Sequence, residues 1–143
     1  MEVKTESPRE TQKVGQTLAK ELKGGDTVAL YGDLGAGKTV FAQGLAKGFG
    51  IKRRILSPTY VFMRSYPINK KGRELTFYHI DLYRGENLQD FEALGLGDIF
   101  DENSIVVLEW PEKIQEILPE SRIDVTFSII SPTKRKISIT RKR

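Results

Sequence analysis

Cysteine is absent from this sequence of 143 residues, which excludes disulfides and thiolate-held metals. Long apolar runs are missing too: no stretch approaches the roughly 20 residues that a membrane span needs. The segment Met1-Glu2-Val3-Lys4-Thr5 lacks the basic and apolar regions of a secretory signal, so a cytoplasmic protein is expected. Internal repeats, linkers and low-complexity tracts are also lacking. An acidic excess is absent, and the net charge of +4 would suit RNA or an acidic partner only weakly. Part of that charge sits in Lys134-Arg135-Lys136 and Arg141-Lys142-Arg143, where a solvated end is the plainer reading. What remains, 38% hydrophobic and 29% charged, is the composition of a soluble globule. One domain over residues 1–143 is expected.

Punctuation along the chain predicts its elements. Ser7-Pro8-Arg9-Glu10 reads as a helix start with Ser7 as cap, Pro8 at the first helical position and Glu10 closing a capping box. Val14, Leu18 and Leu22 then share one face, and Gly24-Gly25 supplies the stop. Thr27-Val28-Ala29-Leu30-Tyr31 carries no charge and suits a strand covered on both faces of a parallel sheet. After a glycine-rich loop, Val40, Phe41, Leu45 and Phe49 suit an amphipathic helix ended by Gly48 and Gly50. Runs from Tyr60 to Tyr66 and from Leu75 to Ile80 flank Asn69-Lys70-Lys71-Gly72, a predicted hairpin turn. Asn87 to Leu94 reads as a short helix, Ser104-Ile105-Val106-Val107-Leu108 as a second apolar strand, and Lys113 to Leu118 as another short helix. Strands from Ile123 to Ile130 and from Lys136 to Thr140 close the chain. The pattern predicts an α/β sandwich, a mainly parallel sheet with an antiparallel portion and helices on both faces. Its ligand is expected at the carboxyl ends of the parallel strands.

Gly32-Asp33-Leu34-Gly35-Ala36-Gly37-Lys38-Thr39 fits G-x-x-x-x-G-K-[S/T] between that strand and that helix. Its glycines let backbone N–H groups curl around an anion while the helix turns its positive end to the phosphates. Lys38 would bridge β and γ oxygens, and Thr39 would place its hydroxyl on Mg²⁺, making ATP and Mg²⁺ the expected ligands. Such a metal usually takes a carboxylate beyond a second strand. Glu109 and Asp81 compete for that role. Glu109 follows the purely apolar strand, which is expected beside the loop strand, and is the better metal residue. Asp81 is left to orient the attacking water or to support the metal through its outer shell, with a turn-capping role as the alternative. Thr59, in Ser57-Pro58-Thr59-Tyr60, is a candidate γ-phosphate sensor, against a Ser-Pro turn that merely opens a strand. His79, the only histidine, is read as a packed or hydrogen-bonded residue rather than a catalyst. A guanine-specificity reading of Asn69-Lys70-Lys71-Gly72 fails because the fourth residue is not acidic.

The octapeptide, Ser57-Pro58-Thr59-Tyr60, His79-Ile80-Asp81-Leu82-Tyr83-Arg84 and Val107-Leu108-Glu109-Trp110-Pro111 occur in one order within a short chain. Together they closely resemble the TsaE family of P-loop ATPases, formerly YjeE, which assist threonylcarbamoyladenosine formation in bacterial tRNA. The resemblance implies a P-loop NTPase-like fold and a protein that binds ATP and Mg²⁺ and joins TsaB and TsaD. Those partners transfer a threonylcarbamoyl group to the adenosine beside the anticodon, so tRNA is met through the complex. It further implies Thr39 and Glu109 on magnesium, Lys38 on the phosphates, Asp81 in hydrolysis, Thr59 in a nucleotide-sensing segment and Trp110 at its rim. An adenine shelf is implied near Pro8 to Thr11 and Thr133 to Arg135. From the residues alone the rivals are a small P-loop metabolite kinase, a nucleotide-gated module without turnover, and a direct RNA binder. The kinase lacks an obvious arginine-bearing lid, the nearest arginines being Arg53-Arg54.

Overall fold

Strands without charge gravitate to the middle of a sheet, where both faces are covered, and the two uncharged runs of this chain lie there side by side. The computed structural model describes residues 1–52, 63–83 and 95–142. In chain order they form β1 (Glu2–Thr5), α1 (Pro8–Glu21), β2 (Thr27–Tyr31), α2 (Lys38–Gly48), β3 (Met63–Lys70), β4 (Arg73–Asp81), β5 (Ser104–Glu109), β6 (Arg122–Ile129) and β7 (Arg135–Lys142). Short 3-10 segments occupy Leu96–Ile99 and Pro111–Ile117. All seven strands share one sheet, ordered β1-β7-β6-β2-β5-β4-β3. β2 runs parallel to β5 and β6, and β4 runs parallel to β5. The flanks are antiparallel: β3 on β4, β7 on β6, and β1 on β7. The antiparallel share is larger than the sequence suggests, because the polar edge strand β1 went unread.

Alternation sorts the strand residues between two cores. Val28, Leu30, Phe77, Ile105, Val107 and Val125 meet Leu18, Leu22, Phe41 and Leu45 of the two α-helices. On the opposite face Ile80, Val106 and Leu108 pack with Leu96, Ile99, Ile114 and Leu118. Helical cover thus lies on both faces, as α-helix on one and 3-10 segments on the other among the described residues. The helix expected from Lys113 to Leu118 is replaced by the 3-10 segment, which starts earlier at Pro111 and is broken at Ile114 (φ −129°, ψ 33°).

The two α-helices touch backbone to backbone. A Cβ on Gly44 would stand 2.1 Å from the Gln12 carbonyl oxygen, and one on Gly15 would stand 2.4 Å from that of Phe41. Glycine is therefore required at both positions for this spacing. α1 begins as its sequence predicts, the Ser7 hydroxyl accepting the Glu10 amide at 3.2 Å. The Glu10 carboxylate closes its half of the box one residue early, on the Glu6 amide at 3.1 Å. In the β3–β4 hairpin the two-residue turn is Lys71-Gly72, both at positive φ (53° and 84°), while Asn69 and Lys70 belong to the strand. The helix predicted from Asn87 to Leu94, the strand start at Tyr60, and Thr59 all lie outside the described residues. No helix among the described residues is long and apolar enough to cross a membrane.

Candidate functional site

Three parallel strand ends and one helix start meet at a single edge of the sheet. β2 delivers the glycine loop, Gly32 to Gly37, and α2 begins at Lys38. Gly37, the residue before the helix, has φ 104°, a left-handed value that disfavours any side chain. No side chain caps α2 and no acidic residue occupies its first turn. The positive end of the helix is thus left to whatever sits in the loop.

Adjacency of β2 and β5 brings the second strand's last residue under this helix. Leu30 pairs with Glu109 in the parallel register, so the Glu109 carboxylate lies beside the loop strand as the apolar run predicts. The Thr39 hydroxyl donates to it, at 2.9 Å to Oε1 and 3.2 Å to Oε2. Asp81 ends β4 directly opposite Glu109 and lines the same cleft of about 230 Å³ with Lys38, Thr39, Tyr83 and Trp110. One Asp81 oxygen accepts the Tyr83 amide at 3.0 Å, so the turn-capping reading of this residue is realised alongside its place in the cleft.

Lys38 is only 4% exposed. Its Nζ donates to the Gly32 carbonyl at 2.6 Å and stands 3.4 Å from the centre of the Trp110 ring. Burial pushes its pKa below the ordinary lysine value, while Glu109, Glu112, Asp81 and Asp33 pull it back up. Trp110 holds this position from a left-handed backbone (φ 62°, ψ 47°), its ring centre 5.1 Å from that of Tyr83. Such a backbone is uncommon for a bulky residue.

Two contacts escaped sequence reasoning. Arg135 braces the outside of the loop: Nε donates to the Ala36 carbonyl at 3.2 Å, Nη2 to that of Gly35 at 3.1 Å, and Nη1 to that of Ser131 at 2.8 Å. Because a trans peptide points its C=O and N–H oppositely, drawing these carbonyls outward turns the next amides inward. Arg135 also lines a second hollow of about 270 Å³ with Ser7, Pro8, Thr11, Gly35, Gly37 and Thr133. The two chain segments implied for adenine therefore do converge on the loop. The other unread contact joins His79 Nε2 to Glu109 Oε2 at 2.7 Å. Its one sequence signal is that His79 and Asp81, two apart on a strand, share a face.

The oxygen pair of Thr39 and Glu109 suits a hard cation that also takes phosphate and water ligands. Among the described residues no three His, Asp or Glu side chains form a metal cage of their own. A wider groove of about 660 Å³ lies beside Thr27 and Ile123, at the far ends of β2 and β6. Of its cations, Arg122 and Lys142 pair with Asp124 and Arg141 with Glu21.

A family model described as threonylcarbamoyl adenosine biosynthesis protein TsaE matches residues 5–137. The Bacillus subtilis tRNA threonylcarbamoyladenosine biosynthesis protein TsaE is 36% identical over 137 residues, covering 96% of this chain and 83% of its own. That of Treponema pallidum is 35% identical over 133 residues, covering 93% and 95%. The crystal structure of Bacillus YdiB superposes with a TM-score of 0.78 at 31% identity, over 100% of this chain and 86% of that one.

Proposed function

The chain belongs to the TsaE family of threonylcarbamoyl adenosine biosynthesis proteins, and from that premise we propose that it is a cytoplasmic Mg²⁺-dependent ATPase that assists TsaB and TsaD. In this reading the partners transfer the threonylcarbamoyl group to N6 of the adenosine beside the tRNA anticodon, and this chain does not. It meets tRNA through the complex.

The observation that carries the reading is the Thr39 hydroxyl resting on the Glu109 carboxylate next to a buried lysine at the uncapped start of α2. A loop that held no nucleotide would gain nothing from gathering a cation, a hydroxyl and a carboxylate at one helix start. Backbone amides of Gly32 to Thr39, Asp33, Leu34 and Ala36 included, would cradle the phosphates, and Lys38 would neutralise their charge. Thr39 and Glu109 would hold Mg²⁺, which when bound draws charge from the phosphoryl oxygens. Asp81 would orient water, and Thr59 would sense the γ-phosphate. Adenine would rest in the hollow between Pro8, Thr11, Thr133 and Arg135. Phosphoryl transfer depends on positioning and charge stabilisation, so turnover should be slow until a partner completes the site.

Phosphate release from ATP by the pure protein, with and without TsaB and TsaD of the same organism, tests the proposal. Partner-stimulated hydrolysis that requires Mg²⁺ is expected. A phosphorylated small molecule in place of free phosphate would instead identify a kinase, and tight ATP binding with no release beside the partners would identify a module without turnover.

A further inference from the structure

Glu109 is a flexible side chain asked to hold one orientation inside the protein, and the contact that holds it from behind is the imidazole of His79. That ring is 0% exposed, Glu109 is 3% exposed, and their Nε2–Oε2 separation is 2.7 Å. Register makes the contact: Asp81 pairs with Glu109 and His79 with Val107, so His79 sits one step back on the same face of adjacent parallel strands. The other ring nitrogen, Nδ1, is buried with no hydrogen-bond partner among the described residues.

A carboxylate only accepts, so Nε2 must carry the proton. Nδ1 is then either a bare lone pair or a buried N–H without a partner. The Nε2–H fixes the carboxylate through Oε2.

We propose that His79 is a positioning residue for Glu109: through its Nε2–H it locks the carboxylate so that Glu109 and Thr39 present their oxygens together to a divalent cation. This inference rests on the nucleotide reading above. Groups that orient a metal ligand from behind typically change metal affinity by about 10- to 100-fold when removed.

Two measurements test it. Because the chain has one histidine, a long-range ¹H–¹⁵N NMR spectrum of the labelled protein reads a single ring; a proton on Nε2 is expected, and a bare Nε2 overturns the proposal. Calorimetry then follows a non-hydrolysable ATP analogue with and without Mg²⁺. His79→Met keeps the length and loses the donor, while His79→Gln can place an N–H where Nε2 stood. The Met variant should lose about tenfold of the gain in affinity that Mg²⁺ brings, the Gln variant should keep most of it, and affinity without Mg²⁺ should be alike in all three. A folded Met variant with the full Mg²⁺ gain sinks the proposal. If it does not fold, a loss of about tenfold in His79→Gln, despite the restored donor, overturns it and a kept gain supports it. No Mg²⁺ gain in the wild-type protein would defeat the nucleotide reading itself, and this inference with it.

Discussion

Both α-helices begin at the same edge of the molecule, but α1 satisfies its own first turn and α2 leaves that to something else. α1 has a Ser7 cap, Pro8 at its first position and Glu10 near its positive end. α2 starts from Gly37 with no capping side chain and no acid, and puts Lys38 where α1 puts proline. A closed start gives its free energy to folding. An open start keeps its amides and its dipole for a ligand, at some expense in stability. The comparison teaches that binding capacity can be read from what a helix start omits.

Replacing the cation at the open start should have the largest effect. Lys38→Ala is expected to weaken ATP binding by about a hundredfold, close to 2.7 kcal/mol, in a protein that stays folded; unchanged affinity by calorimetry would remove the distinction between the two helices. Next comes a carboxylate that faces this start. Asp81→Asn should preserve shape and ATP affinity roughly while lowering partner-stimulated phosphate release at least tenfold, about 1.4 kcal/mol in the barrier. A wild-type rate would make Asp81 a turn cap and nothing more.

At the closed start the effect should move from binding to stability. Ser7→Ala is expected to cost about 1 kcal/mol in urea denaturation, more than it costs in ATP affinity, and a loss of affinity without a loss of stability would reverse the assigned roles. The smallest effect concerns the charge of Lys38 in the absence of ligand. Its pKa in the folded protein is lowered by burial, so between that value and the ordinary 10.5 the unfolded chain holds more protons, and stability rises with pH. Below that window the full cost of burying the charge applies. Lys38→Met should therefore melt higher than wild type at pH 7, by no more than a few °C, with the margin narrowing as pH approaches 10.5. A margin that grows with pH would contradict the burial of a charged lysine.

The central architecture was legible because its signals are local. Two uncharged runs suit inner strands, and their adjacency put Glu109 beside the glycine loop. Ser7, Pro8 and the glycines announced the helix ends for the same reason. What stayed hidden depends on residues far apart in sequence. β1 has the charged, alternating look of a solvated terminus, and only the partner strand β7 makes it a strand. Arg135 reads as one more basic residue in a basic stretch, yet its partners in the glycine loop are backbone carbonyls about a hundred positions away, which carry no sequence signature. The hairpin turn slipped by one residue because Lys71, unlike asparagine, gives no warning of a positive φ. His79 was rightly read as a packed or hydrogen-bonded residue, but naming its partner needed the β4–β5 register.

The glycine seam between the helices has a mechanical consequence. Side chains interposed between two helices can swing between rotamers and absorb a displacement, whereas backbones in direct contact have nothing that yields. α1 and α2 therefore behave as one stiff plank. Gly37 at the start of α2 lies close to Thr11 of α1, where an added Cβ would stand 3.7 Å from the threonine methyl, so the glycine loop is seated against the first turn of α1. The two hollows therefore share a wall, Gly35, Gly37 and Val40 lining both, that stands on this rigid pair.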